Sequence, residues 1–68
     1  MYKIIDEAYI DKYVTVTVNA LPRLPIKKII IDEEEYELVP TYTENIYDIS
    51  FLNPKKNISY IGKEVEFI

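Results

Sequence analysis

Few kinds of side chain could act in catalysis here, because this chain of 68 residues contains neither histidine nor cysteine. Nucleophiles and bases must then come from serine, threonine, tyrosine, lysine and carboxylate groups. The two serines, Ser50 and Ser59, both lie in stretches that predict strands, and neither has a base beside it. Gly62 is the only glycine, which excludes a glycine-rich phosphate loop and a nucleophile elbow. We predict no enzymatic activity, no cofactor, no zinc site and no disulfide.

The densest run of charge is acidic and covers residues 32–35, Asp-Glu-Glu-Glu. Such a run could hold a hard cation or meet a basic partner. Calcium loops place their ligands at alternate positions around a glycine bend, and this run has neither feature. We therefore interpret it as the solvated tip of a hairpin, where like charges stay away from the core.

Lysine is concentrated in two pairs, Lys27 with Lys28 and Lys55 with Lys56. These pairs could contact phosphates on a small β-barrel that also presents tyrosine rings for base stacking. Lysines at edges and turns also discourage strand pairing between molecules, and the formal net charge of the chain is −4. Nucleic-acid binding through these four lysines is therefore an alternative function and not the favoured one. An acidic inhibitor that mimics a nucleic acid is a further alternative, which requires the carboxylates to lie in a stripe.

Tyrosine is more abundant than a small core can hold, since the chain has seven of these rings. Some of them must be partly exposed, together with several isoleucines. Exposed tyrosine is typical of interfaces, where one end of the ring is apolar and the other is wet. The candidates for contact with a partner are Tyr13, Ile30 and Tyr42.

The elements that must position these residues are short strands, because helical periodicity is weak and turn signals recur about every 8–12 residues. The clearest strand covers residues 13–18, where three valines share one face. Residues 2–5 and 8–10 predict one bent strand or two short ones, and residues 11–12 are a candidate turn. Residues 21–25 contain two prolines and predict an extended connector.

The next segment predicts a hairpin over residues 26–39. A turn at residues 33–34 and a loop at residues 32–35 both place Ile31 opposite Tyr36. With either turn, the four residues that share one face are Ile29, Ile31, Tyr36 and Leu38.

A second hairpin is predicted from residues 46–52, a turn at residues 53–56 and residues 58–61. Ile49 and Phe51 would then lie beside Tyr60. A last turn at residues 62–63 leads into a closing strand over residues 64–68, with Val65 and Phe67 facing inward.

Five or six short strands in mostly antiparallel order predict one all-β domain over residues 1–68. A small barrel of the SH3-like or OB-like kind buries one face of each strand most economically. A curled sheet completed by dimerisation is the alternative, because a core of this size contributes only about 3–5 kcal/mol of net stability.

Composition adds an expectation about location and class. Charged residues interrupt the apolar stretch at the start of the chain, no apolar run approaches the ~20 residues of a membrane span, and cysteine is absent. These features predict a cytoplasmic protein without a membrane segment. The abundance of lysine over arginine, and of isoleucine and asparagine, is typical of AT-rich bacteria and their phages. The favoured function is a small non-enzymatic protein-interaction module, for example a phage or mobile-element accessory protein, that acts by self-association or on a protein partner.

Overall fold

Six antiparallel strands form a closed ring in the computed structural model, which describes residues 2–23, 25–41, 43–52 and 59–68. The strands are β1 (Tyr2–Ile10), β2 (Tyr13–Val18), β3 (Lys28–Ile31), β4 (Glu34–Val39), β5 (Asp48–Leu52) and β6 (Glu64–Phe67). Their order around the ring is β1-β2-β5-β4-β3-β6, and β6 pairs with both β3 and β1. The prediction of a small antiparallel all-β barrel is confirmed. The ring closes within one chain, so a second copy is not needed to complete the sheet.

The interior of the ring is filled by the alternating apolar residues that the sequence pattern indicated. Val14, Val16 and Val18 of β2 are 0%, 0% and 1% exposed, because successive side chains of a strand point to opposite faces. Ten buried side chains among the described residues form one cluster, which comprises Ile4, Val14, Val16, Val18, Ile29, Ile31, Ile49, Phe51, Tyr60 and Val65.

The first hairpin joins β1 and β2 through the candidate turn at Asp11 and Lys12, with Ile10 opposite Tyr13. Residues 2–10 form one strand and not two. The register shifts between Ile4 and Asp6, where one extra residue bends the strand as a β-bulge does. This resolves the open choice between one bent strand and two short ones.

The β3–β4 hairpin has the predicted faces but a different register. Its turn is Asp32 and Glu33, which both have positive φ, 51° and 68°, and Ile31 pairs with Glu34 while Ile29 pairs with Tyr36. The prediction that Ile31 lies opposite Tyr36 is therefore wrong by two residues. A shift of two keeps every side chain on its face. Positive φ at both turn residues matches the twist of the flanking strands, so this two-residue turn forms even without glycine.

The predicted hairpin between residues 46–52 and 58–61 is wrong. β5 pairs with β2 along one edge and with β4 along the other, so no edge of β5 is left for residues 59–61. Tyr60 still packs on the Phe51 ring, with ring centroids 5.6 Å apart, although Tyr60 itself does not lie in a strand. The predicted turn at residues 53–56 lies outside the described residues. Alternation indicated which face of β5 is apolar, and it could not indicate which strands are its neighbours.

The closing strand β6 follows a turn in which Gly62 has a φ of 86°. Val65 is buried and Phe67 packs partly buried against the core, so the predicted inward face of this strand is confirmed. Within the described residues, no helix is long and apolar enough to cross a membrane.

Candidate functional site

An apolar row crosses the outward face of three strands at one end of the barrel. The register places Ile10 of β1 opposite Tyr13 of β2, and Tyr13 opposite Leu52 of β5. These side chains are 70%, 43% and 46% exposed. Their chain neighbours Val14 and Phe51 point into the core, so alternation directs the three to solvent. We call Ile10, Tyr13 and Leu52 the apolar row.

The next row on the same face is polar and partly covered. Thr15 of β2 is opposite Ser50 of β5, which is opposite Val39 of β4. Ser50 points outward, yet it is only 6% exposed. Its Oγ lies 2.8 Å from Thr15 Oγ1 and accepts a hydrogen bond of 2.8 Å from the Thr41 hydroxyl. The residues that follow β4 therefore fold over the outside of β5.

A third row on this face binds a second part of the loop between β4 and β5. Thr17 of β2 is opposite Asp48 of β5, and its hydroxyl donates to Asp48 Oδ1 at 2.5 Å. The Thr43 hydroxyl donates to Asp48 Oδ2 at 2.7 Å. The loop between β4 and β5 is thus held against the barrel at two places. We call the side chains that these hydrogen bonds join the hydroxyl cluster, which comprises Thr15, Thr17, Thr41, Thr43, Asp48 and Ser50.

A groove of about 430 Å³ lies between the apolar row and this loop. Its lining consists of Ile10, Tyr13, Thr15, Val39, Pro40, Thr43 and Ser50. The hydroxyls of Thr15, Thr43 and Ser50 already have partners, and no buried side-chain polar atom of the described residues lacks one. An apolar side chain can therefore enter the groove without breaking the hydrogen bonds of these three hydroxyls, and leaving such a group unsatisfied would cost about 1–3 kcal/mol.

The opposite side of the ring carries an acidic face. Lys28 and Ile30 of β3 are flanked by strands whose outward residues are carboxylates, with Ile30 between Glu35 and Glu66. A depression of about 380 Å³ beside Ile30 is lined largely by carboxylates. We define the acidic face as the outward carboxylates of β4 and β6, which are Glu35, Glu37, Glu64 and Glu66.

Three carboxylates of the acidic run at residues 32–35 have separate partners. Asp32 Oδ2 accepts a hydrogen bond of 2.6 Å from Lys63 Nζ, and Glu34 Oε2 accepts one of 2.7 Å from the Tyr36 hydroxyl. Glu35 Oε1 is 3.5 Å from Lys28 Nζ. Among the described residues, no three histidine, cysteine or acidic side chains are grouped so that they could hold a metal.

The end of the barrel beside residues 59–60 holds a cluster that the sequence did not indicate. Glu7 lies opposite the inward-facing Val16, and its Oε2 accepts a hydrogen bond of 2.9 Å from the Tyr60 backbone N–H. Burial raises the pKa of the Tyr9 phenol, and the charge of Glu7 raises it further. Burial, together with the hydrogen bond to Glu34, raises the pKa of Tyr36 well above its ordinary value. The bulge in β1 made this cluster hard to foresee, because it reverses which residues face inward.

The candidate residues named from the sequence separate in space. Tyr13 lines the groove, whereas Ile30 lies on the acidic face. Lys27 is exposed and Lys28 pairs with Glu35 at the edge of the acidic face. The remaining candidates, Tyr42, Lys55 and Lys56, lie outside the described residues.

The residues that sequence reasoning missed are Leu52 and the hydroxyl cluster. Their signal was the threonines at alternate positions of β2 and the Asp48 and Ser50 pattern of β5. That signal becomes a site only when the strand order brings β2 and β5 together.

The chain matches no family model, no curated protein and no solved structure. The geometry of its two outer faces is therefore the basis on which a function can be proposed.

Proposed function

We propose that the protein is a non-enzymatic protein-interaction module that binds a protein partner through the apolar row and the adjoining groove. The observation that carries this proposal is the alignment of Ile10, Tyr13 and Leu52 as one exposed row. Contiguous exposed apolar side chains beside a polar rim are typical of interaction sites. A tyrosine near the centre of such a patch suits it to act as an anchor.

A second candidate function rests on the acidic face. Glu35 and Glu37 on β4 and Glu64 and Glu66 on β6 stand on both sides of β3. Two parallel lines of carboxylates favour contact with a basic surface, as an acidic protein that mimics a nucleic acid would make. This candidate predicts association that weakens steeply as salt rises.

One capture experiment separates the two candidates. Purified chain is immobilised, exposed to an extract of its source cells, and compared with Tyr13→Ser and with the double variant Glu35→Gln and Glu66→Gln. The matched control is Ile61→Ser, because Ile61 is also exposed, at 53%, but lies away from the apolar row. Its neighbour Gly62 donates a backbone hydrogen bond to Ile4, at the end of β1 opposite Ile10.

The favoured proposal expects a captured protein that Tyr13→Ser loses and that the other two variants retain. Loss in the glutamine variant with retention in Tyr13→Ser would assign the function to the acidic face instead. Capture that no variant changes would overturn both candidates.

The finer predictions from composition stay proposals. These are a cytoplasmic location, a role as a phage or mobile-element accessory protein, and an SH3-like or OB-like barrel type. Nucleic-acid binding through Lys27, Lys28, Lys55 and Lys56 also stays a prediction, to be tested by titration with oligonucleotides at low and rising salt.

A further inference from the structure

We infer that the groove receives a short segment of a partner protein in which an apolar side chain is flanked by lysine or arginine. This inference rests on the proposed function, since it names the chemistry of the partner at the same groove. It commits to a segment of another protein and not to a second copy of the chain.

The charges around the groove are the first argument. The outward residues of the third row, Asp6 and Asp48, carry carboxylates, and Glu37 comes two residues before Val39 on the outward face of β4. Glu44 is exposed in the loop that forms one wall. Lys12, in the turn beside the apolar row, carries the opposite charge. Among the described residues, the charges around the groove are therefore mainly negative, as is the formal net charge of −4, and they are complementary to a basic segment.

The area available is the second argument. Three partly exposed side chains offer roughly 300–400 Å² of apolar surface, within the range of the largest patch on an ordinary monomer. A stable interface between two proteins buries about 800 Å² on each side. A pair of identical acidic molecules would also bring like charges together. An interface of that size carries roughly 450 Å² of non-polar area on each side, so the patch is smaller than a stable pair of copies needs, and its size suits a short segment.

The floor of the groove is the third argument. Ser50 is nearly fully buried and its Oγ is shared between Thr15 and Thr41. A polar side chain of a partner would compete with these hydrogen bonds, whereas an apolar side chain leaves them intact. The walls formed by Ile10, Tyr13, Val39 and Pro40 offer apolar contact instead. The groove thus selects an apolar side chain, and the carboxylates around it select basic neighbours.

The test is selection from a library of random short peptides displayed on phage, using the full chain as bait. Enriched peptides are synthesised and their binding is measured by fluorescence anisotropy. We expect peptides with one or two apolar residues between lysines or arginines. Tyr13→Ser should weaken binding by on the order of tenfold or more, as loss of an anchor does, and Ile61→Ser should change it less than about twofold. Replacing the basic residues of a peptide by glutamate should abolish binding.

Three results would overturn the inference. Enriched peptides could lack basic residues, they could bind wild type and Tyr13→Ser equally, or the library could yield no enriched peptide. If sedimentation then shows a dimer that Tyr13→Ser dissociates, the groove binds a second copy, and the proposed function survives without the inference. If Tyr13→Ser affects neither peptides, nor self-association, nor capture of a partner, the proposed function fails as well.

Discussion

Replacing Ser50 by alanine tests whether the outward hydroxyl cluster holds the loop that forms the groove. The Oγ of Ser50 is bonded to both Thr15 and Thr41, at 2.8 Å each, and the residue is 6% exposed. Each hydrogen bond is worth about 1 kcal/mol net. Thr15 and Thr41 are half-buried, so water can replace part of what they lose. We expect the free energy of unfolding to fall by about 1–2 kcal/mol, with no cavity contribution because only one oxygen is removed.

The assay is urea unfolding followed by circular dichroism. The midpoint should fall while the slope m stays unchanged, because the surface exposed on unfolding is nearly the same. In thermal unfolding, each kcal/mol lowers Tm by about 4–8 °C in a domain of this size. Since a core of this size contributes only about 3–5 kcal/mol, the loss is a large fraction of the total.

The chain offers a matched control, because its other serine, Ser59, is exposed. The Ser59 hydroxyl is 3.4 Å from Glu7 Oε2, a long contact at an exposed site. Ser59→Ala should therefore cost no more than about 0.5 kcal/mol. Equal destabilisation by Ser50→Ala and Ser59→Ala would show that the Ser50 hydroxyl does not hold the loop.

Three further perturbations probe the core, a turn and a partly buried phenol. Ile29→Val removes one methyl group from a side chain that is 0% exposed and should lower the free energy of unfolding by about 0.5–1.5 kcal/mol in urea. Gly62→Ala should lower the free energy of unfolding by about 1–2 kcal/mol in the same assay, because Gly62 has a φ of 86°, which is unfavourable for alanine. A Cβ there would meet no atom within 4 Å, so the cost comes from the backbone conformation and not from a clash. The raised pKa of Tyr36 should make stability fall as pH rises above about 10, the ordinary tyrosine value. There the unfolded chain loses a proton that the folded chain keeps, and Tyr36→Phe should flatten this fall.

Each of these three expectations has a result that would contradict it. Ile68→Val, at a side chain that is 56% exposed, is the control for Ile29→Val, and an equal effect of the two would show that Ile29 is not tightly packed. An unchanged stability of Gly62→Ala would mean that the turn can relax to negative φ. A wild-type protein whose stability is level between about pH 9 and pH 11 would contradict the raised pKa of Tyr36.

The sequence was sufficient to predict the core wherever burial depends only on which face of a strand a side chain occupies. The three valines of β2 alternate with polar residues and all became core. Ile29 and Ile31 likewise point inward, although their partners on β4 differ from the predicted ones. A register shift of two residues leaves every face unchanged, so the hydrophobic pattern cannot distinguish the two registers. The choice was made by a turn with two left-handed residues, Asp32 and Glu33, which composition alone disfavours.

Strand order could not be predicted for a different reason. Residues close in sequence usually pair, and this tendency suggested that β5 turns back onto residues 58–61. In the barrel β5 lies instead between β2 and β4, which brings Ser50 against Thr15 and Leu52 against Tyr13. The groove therefore follows from long-range pairing, and no local pattern contains it.

Closure of the ring by β6 affects the rate of folding and the tendency of an incomplete chain to aggregate. Tyr2 pairs with Val65 and Ile29 pairs with Phe67, so the last strand joins parts of the chain that are far apart in sequence. Pairings of this kind are slow to form. Until β6 arrives, β1 and β3 each present an unpaired edge, and such edges recruit strands from other molecules. A nascent or cleaved chain that ends before Glu64 keeps both edges open, which makes it prone to aggregation even though most of its core residues are present.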